Sequence, residues 1–432
     1  MNRALQLAYS AAGQLARAVA ALTPGGSDKV GRSLSARRGI RERYAAWAPH
    51  RDLKRPLLWV HAPSVGEGLQ ARIVLERMRA QHPEVQLAYT FFSPSAESFA
   101  HKLAVDFADY LPFDTLGDAQ AALDALRPSA LVFSKLDVWP TLCREARRRH
   151  VPLGLISATL SAESSRRGAL ATELLRDAYA SLDAVGAVAP EDAQRLRTLG
   201  VRAETLRVTG DTRFDQVLAH AARVDHTKAL LVPLASARPT LVAGSTWPAD
   251  EAVLFSAWEA LRREIPDVRL IIAPHEPTGT HLESVETWAM GSELRVARLP
   301  VADSSADVVL VDRVGVLADL YALGNAAFVG GGFHDAGLHS VLEPAAFGIP
   351  VAFGQRHRNS REAQLLIKAG GGDAVGSADE LTETLVHWLS DHQLAGDVGR
   401  RARQFVERGA GATEQSVALA LELLVRGDTT QR

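Results

Sequence analysis

From residue 57 onward the chain repeats one pattern. Short apolar runs rich in β-branched residues occur at 57–62, 86–92, 130–134, 153–157 and 184–188. Each is followed by a longer stretch in which apolar residues recur at steps of three and four. Continuous apolar strands alternating with amphipathic helices predict a parallel sheet covered on both faces. A second series of the same kind occupies 240–243, 269–273, 308–311, 326–329 and 350–353, and 391–426 reads as helix throughout. The stretch 215–237 holds helix formers but no convincing strand, and the hinge is placed there. The pattern therefore predicts two doubly wound α/β units, with the terminal helix a candidate to cross back to the first. The expected division is 1–50 as a basic, apolar helical segment, 51–220 as the first domain, and 221–432 as the second domain with the terminal helices.

The first segment has a pattern of its own. From 4 to 22 the only charge is Arg17, and Leu5, Tyr9, Ala12, Leu15, Val19 and Leu22 form a stripe at helical spacing. Gln6, Ser10, Gly13 and Gln14 make it too polar for a membrane span or for the apolar core of a cleaved signal peptide. An amphipathic helix at a membrane interface is expected, with packing on its own domain as the alternative.

Composition narrows the class. With 432 residues, 47% hydrophobic and 23% charged, the chain exceeds one core and is neither disordered nor a disulfide scaffold. Net charge is −2, but residues 1–60 carry eleven Lys or Arg against three acids, so this end holds +8 and the remainder −10. Such a basic end is a solvated face or is drawn to an anion, either phospholipid headgroups or a phosphorylated substrate. Cys143 is the only cysteine, so no internal disulfide forms, which fits a reducing compartment. No His-Glu-x-x-His or cysteine cluster suggests a metal. The basic excess lines neither α/β half, which argues against nucleic acid.

In doubly wound sheets ligands bind beyond the carboxyl ends of the strands, so the loops after each strand hold the candidate chemistry. The run 57–62 leads into Pro63-Ser64-Val65-Gly66-Glu67-Gly68, and Glu67 is a candidate general base, although the helix dipole alone also favours an acid there. The run 130–134 leads into Lys135-Leu136-Asp137-Val138-Trp139-Pro140. Alternation points Lys135 and Asp137 to one side, as an exposed ion pair or as a phosphate ligand beside a carboxylate. Gly244, Ser245 and Thr246 precede a helix bearing Asp250 and Glu251, an arrangement suited to cradling an anion without a Walker lysine. Pro274 and His275 end another strand. The densest cluster runs from Gly330, Gly331 and Gly332 through His339, Ser340 and Glu343 to Pro344. There, glycine amides and a helix opened by His339 and Ser340 predict an anion site, and Glu343 is placed to accept ribose hydroxyls.

These motifs together resemble the 3-deoxy-D-manno-octulosonic acid (Kdo) transferases of lipid A assembly. The resemblance rests on His61-Ala62-Pro63-Ser64-Val65-Gly66-Glu67, Asp137-Val138-Trp139-Pro140, Ser157-Ala158-Thr159-Leu160-Ser161 and Val208-Thr209-Gly210-Asp211-Thr212-Arg213-Phe214-Asp215. Gly244-Ser245-Thr246, Pro274-His275 and the glycine-rich stretch through Leu342-Glu343-Pro344-Ala345 extend it over nearly the whole chain. It implies a glycosyltransferase-B fold, two Rossmann-like domains with an interdomain cleft, preceded by the amphipathic helix. It also implies inverting transfer of Kdo from CMP-Kdo to a tetra-acylated glucosamine disaccharide phosphate, the lipid A precursor, without metal or other cofactor. The enzyme would sit on the anionic cytoplasmic surface of the inner membrane.

On that resemblance Glu67 is the base, with Asp137, Lys135 and Arg213 near the reaction centre. Lys135 and Asp137 stand where the family commonly shows two glutamates. Ser245, Thr246, Pro274, His275, the turn Gly315-Val316-Leu317, Gly331, His339, Ser340 and Glu343 match donor-contacting positions, and Asn359 and Glu362 a further polar pair. Ser340 stands where asparagine is usual, and Val316 where glutamate is. The alternatives are another nucleotide-sugar transferase or epimerase of the same fold, or a non-catalytic binder of such ligands.

Overall fold

The computed structural model describes residues 3–22, 29–162, 164, 166, 168–299, 301–335 and 337–431. The chain divides into two compact units, Met1–Asp215 with Ala410–Arg432, and Gln216–Gly409.

The first unit is built on seven strands: β1 (Leu57–His61), β2 (Gln86–Phe91), β3 (Phe107–Tyr110), β4 (Ala130–Ser134), β5 (Leu153–Ala158), β6 (Ala184–Ala187) and β7 (Leu206–Val208). They lie in the order β3-β2-β1-β4-β5-β6-β7 with every pairing parallel. The second unit holds β8 (Thr240–Thr246), β9 (Arg269–Pro274), β10 (Val296–Arg298), β11 (Val308–Leu310), β12 (Ala326–Val329), β13 (Val351–Gly354) and β14 (Gly372–Val375). Their order is β10-β11-β9-β8-β12-β13-β14, again all parallel. Chain direction along the sheet reverses between β1 and β4 in one unit and between β8 and β12 in the other. These are the two switch points at which ligands of such sheets collect.

All ten apolar runs are strands. The four strands that the pattern does not announce, β3, β7, β10 and β14, are the four sheet edges. They are three or four residues long and interrupt their apolar character with Asp109, Arg207, Arg298 and Asp373. An edge strand is covered less completely than a central one, so no continuous apolar run is demanded of it.

The terminal segment is not one continuous helix, and its last part crosses back to the first unit, the crossing for which it was a candidate. It is two helices, His392–Gly409 and Ala412–Gln431, broken at Gly411 with φ 108°. The second helix belongs to the first unit, so 221–432 is not one domain. Its Leu419 and Leu423 are buried in the first core, and a Cβ on Gly154 of β5 would sit 2.5 Å from Leu423 Cδ1. Asp215, the last residue before the chain leaves this unit, accepts hydrogen bonds from the amides of Gly411 (2.8 Å) and Thr413 (3.2 Å), capping the returning helix.

Residues 1–50 are not a separate segment either. Ile40 and Tyr44 of the helix Ile40–Trp47 lie in the first core. The N-terminal helix Arg3–Leu22 is fastened by Tyr9, whose hydroxyl donates to Asp114 (2.8 Å), and by Arg17, 3.6 Å from Asp118. The expected single stripe is thereby split. Tyr9 turns inward, while Leu15 (66% exposed), Val19 and Leu7 (71% exposed) face outward; the Leu22 side chain lies outside the described residues. No helix among the described residues is long and apolar enough to cross a membrane.

Truncating Leu423 to alanine removes fully buried methyls from the first core and is expected to cost about 2–5 kcal/mol of its stability. Urea unfolding of the full chain, followed by a probe in the first unit, checks this; a change below about 0.5 kcal/mol would place the terminal helix outside that core.

Candidate active site

In the first unit the site grows from the ends of β1 and β4. Residues of β1 are buried on both faces, including His61, whose ring is fully enclosed. A buried imidazole needs partners on both nitrogens. Thr90 Oγ1 on β2 accepts from Trp59 Nε1 (2.9 Å), leaving its hydroxyl hydrogen for His61 Nδ1 (3.0 Å). His61 Nε2 then donates to Asp137 Oδ2 (3.0 Å), which also accepts from Trp139 Nε1 (3.0 Å). Burial opposes ionisation of Asp137, but the hydrogen bonds from His61 and Trp139, with the charge of Arg166, outweigh it and hold the carboxyl below its ordinary range.

Lys135 and Asp137 therefore do not pair with each other. Lys135 leaves β4 in the left-handed region (φ 60°), which breaks the strand alternation, and its ammonium lies 3.5 Å from Glu67 Oε1. Glu67 stands in the first turn of the helix Val65–Gln81, and its other oxygen accepts from the Ser64 hydroxyl. The result is two carboxylates with separate partners. Asp137 is locked to a buried histidine, and Glu67 is held by a lysine and a serine at the helix start. Arg213, expected near the reaction centre, pairs through its Nε (2.9 Å) and Nη2 (2.6 Å) with Asp211 of its own loop.

An apolar cavity of about 710 Å³ adjoins this cluster in the same unit. Tyr9, Ala16 and Leu34 of the N-terminal helices form one side, and Phe92, Trp139 and Ser64 the other. Phe92 and Trp139 stack at 5.3 Å, and the Arg37 guanidinium lies 4.0 Å over the Phe92 ring. Ser64 thus touches both the cavity and Glu67.

In the second unit the expected anion cradle is already filled by the protein itself. Gly331 N (2.7 Å) and Phe333 N (3.0 Å) donate to the fully buried carboxylate of Asp250, which also caps Trp247 N (3.0 Å). The amides of Gly330 and His339 are bonded to the carbonyls of Gly244 (2.9 Å) and Gly330 (3.1 Å). Thr246, still within β8, donates its hydroxyl to Glu251 (2.7 Å). Gly331 (φ 91°) is required by packing, since a Cβ there would collide with the Gly337 carbonyl. Nor do His339 and Ser340 open a helix; the helix is Leu342–Ala346.

What remains open for a ligand is a set of side chains. Trp247 stacks on His334 at 4.6 Å, lies 4.7 Å from His275, and donates Nε1–H to His339 Nε2 (3.2 Å). Burial, helped by the charge of His275 and opposed by Asp250, pushes the His339 pKa down. Glu343 has no hydrogen-bond or ion-pair partner among the described residues, and burial pushes its carboxyl up to about 7. Its charge is felt by Tyr321, which packs with Leu317 against Gly244. Asn359 abuts Gly337, and Glu362 accepts from Ser360 Oγ (3.3 Å). Gly315 (φ 87°) and Ser340 are exposed, Ser245 and Val316 partly so, and Pro274 is buried at the end of β9. Among the described residues no group of three or more His, Cys, Asp or Glu is placed to hold a metal ion.

The roles of Ser64, His61, Trp247 and Asp250 are not separable in the sequence. His61 opens one of the motifs that carry the resemblance but its partners are not legible there, Trp247 carries no signal beyond its strand-end position, and Asp250 reads as an ordinary first-turn acid.

Two all-parallel units of Rossmann type, with a carboxylate cluster at the switch point of one and an aromatic and carboxylate cluster at that of the other, define the architecture that glycosyltransferases share with nucleotide-sugar epimerases. Residues 38–216 match the family described as 3-deoxy-D-manno-octulosonic-acid transferase (kdotransferase). The 3-deoxy-D-manno-octulosonic acid transferase of Bordetella pertussis is 30% identical over 374 residues, covering 83% of this chain and 86% of that one. Its counterpart in Haemophilus influenzae is 24% identical, covering 85% and 87%. The chain belongs to the 3-deoxy-D-manno-octulosonic acid transferase family. In fold it is similar to a UDP-GlcNAc 2-epimerase from Neisseria meningitidis (TM-score 0.62, 13% identity, 85% of this chain and 100% of that one). It is likewise similar to a glycosyltransferase from Rickettsia africae (TM-score 0.61, 11% identity, 86% and 99%).

The Asp137 carboxyl titrates lower in the folded chain than the ordinary ~3.9 of an unfolded one, so its stabilisation is present above that value and lost as pH falls through the folded pKa. Asp137→Asn is expected to cost about 1–3 kcal/mol near neutrality, with the difference from the parent chain closing below pH ~4. Unfolding curves across a pH series test this, and a gap that does not change with pH would refute an ionic origin.

Proposed function

We propose that the protein transfers Kdo from CMP-Kdo to a hydroxyl of an acylated glucosamine disaccharide phosphate, the lipid A precursor, with inversion, at the cytoplasmic face of the inner membrane. The observation that carries this reading is Ser64, which forms part of the wall of the apolar cavity and hydrogen-bonds to Glu67. A carboxylate base beside an apolar cavity suits an acceptor that presents a hydroxyl and an acyl chain together.

In this reading Glu67 takes the proton of the acceptor hydroxyl as its oxygen forms the new bond to the anomeric carbon. The bond from that carbon to the CMP phosphate oxygen breaks, and its electron pair leaves with CMP. One displacement of this kind inverts the centre. Lys135, 3.5 Å from Glu67, offers a cation to the charge that develops, and Arg213 is the second candidate for that role. A phosphate that leaves as a monoester needs no bound metal for this.

The donor belongs in the second unit. Glu343, without a hydrogen-bond or ion-pair partner among the described residues, is suited to accept ribose hydroxyls, and the exposed His275 and Ser340 to meet base or phosphate. Since Asp250 occupies the amides of Gly331 and Phe333, donor recognition falls to side chains and to the Gly315 turn. The outward Leu7, Leu15, Val19 and Val30 of the N-terminal helices, with the nearby arginines, support contact with an anionic bilayer.

Glu67→Gln is expected to lower kcat by about 10²–10⁴ while CMP-Kdo binding persists, read by product mass together with calorimetry. Retained turnover would remove Glu67 from the role of base. Ala16→Trp, which fills the apolar cavity, is expected to raise KM for the tetra-acylated acceptor and to leave a deacylated disaccharide unaffected. Equal effects on both acceptors would separate the cavity from acyl recognition.

A further inference from the structure

The cations of the first sixty residues are not gathered at the reaction loops. Arg37 reaches the carbonyls of Leu111 (2.9 Å) and Phe92 (3.0 Å), beyond the carboxyl ends of β3 and β2. Arg51, Lys54 and Arg55 lie at the opposite end of the sheet, on the segment that leads into β1. There they meet Arg127, just before β4, and Arg149, just before β5, around a cavity of about 720 Å³. It sits at the same β1/β4 switch point as Glu67, but at the amino ends of the strands.

Charge in this cavity is unbalanced. Five cations face one carboxylate in its wall, that of Asp124, which Arg149 already holds at 3.0 Å while its other nitrogen pairs with Glu145 (3.3 Å) outside the wall, so Arg149 is neutralised and four cations are left. Arg51 is tied to uncharged oxygens, the carbonyls of Leu126 (2.9 Å) and Arg55 (2.7 Å) and the side chain of Gln86 (2.9 Å). Arg55 is likewise tied to the carbonyls of Glu84 (2.9 Å) and Pro83 (2.8 Å). Carbonyls satisfy the N–H groups without cancelling the charge. Burial, with Arg127 and Arg55 and against Asp52, pushes the Arg51 pKa down, as crowded cations require. Asp52 turns its carboxylate to the Lys54 amide (3.0 Å). The Lys54 ammonium and the Arg127 guanidinium have no side-chain hydrogen bond or ion pair among the described residues. Leu123 and Val151 add apolar wall. An anchored layer of cations beneath two unpaired ones, in a concavity far larger than one inorganic anion, is a recognition site for an organic anion.

We propose that this cavity binds a phosphate ester, with Lys54 and Arg127 on the phosphate and the apolar wall against its organic part. The site is distinct from the reaction loops and does not depend on the proposed transfer. An anionic phospholipid headgroup and a small soluble organic phosphate share this chemistry, and two probes distinguish them.

The test compares the full chain with its Lys54→Ala/Arg127→Ala double variant. Glycerol 3-phosphate is titrated calorimetrically, and flotation is measured on phosphatidylcholine vesicles with and without phosphatidylglycerol. Neither residue belongs to the reaction machinery, so transferase activity and the thermal transition are expected to stay at the parent level. The single variants Lys54→Gln and Arg127→Gln serve if the double variant folds poorly. Loss of about tenfold or more in affinity for glycerol 3-phosphate supports a soluble ligand. A comparable loss confined to the phosphatidylglycerol vesicles supports a headgroup. Parent-like binding of both probes by the variants, or binding of neither by the parent chain, would overturn the proposal.

Discussion

The constraint on which the molecule depends is that both sheets are parallel and their central strands are enclosed on both faces. A buried strand interior tolerates no charge without a partner, so polar chemistry is driven to the strand ends. His61 shows the rule at its limit. It stands inside β1 and is accommodated because Thr90 on the next strand and Asp137 beyond β4 satisfy its two nitrogens. Through that one imidazole, the positions of three adjacent strands fix the loop that carries Lys135.

The second unit meets the same constraint differently. Its carboxylate, Asp250, is bonded to backbone amides of the glycine loop, so the loop is shaped before any ligand arrives. A sequence rich in glycine after a strand invites the expectation of a phosphate cradle. Here the glycines serve close packing of backbone on backbone, and the anion they hold is a side chain. Glu343, in contrast, has no such amide partner among the described residues, and its burial leaves it near its protonation midpoint at neutral pH.

Legibility in the sequence follows burial. Central strands such as β1, β4, β8 and β12 announce themselves because every residue must be apolar or small, whereas the edges β3, β7, β10 and β14 face weaker demands. The loops bearing Glu67, Lys135 and His339 were readable because they follow legible strands. Their partners were not, since pairing is a three-dimensional property. Strand alternation suggested a common side for Lys135 and Asp137, and a single left-handed residue sends them to different partners. The helix Ala412–Gln431 reads as apolar and helical, but nothing local states which core it completes.

The hydrogen bonds that the amides of Gly411 and Thr413 donate to Asp215 close a loop in the chain. The second unit is thus an insertion between two parts of the first. During synthesis, residues up to 215 emerge long before Leu419 and Leu423, which the first core needs. The nascent first unit carries an uncovered apolar groove across β4, β5 and β6 until the last helix leaves the ribosome, while the inserted unit has all its own strands by residue 375. The inserted unit, whose core ends with Val398, therefore has its residues in hand before the first unit, whose core waits for Leu419 and Leu423, so the unit that begins first is the one completed last.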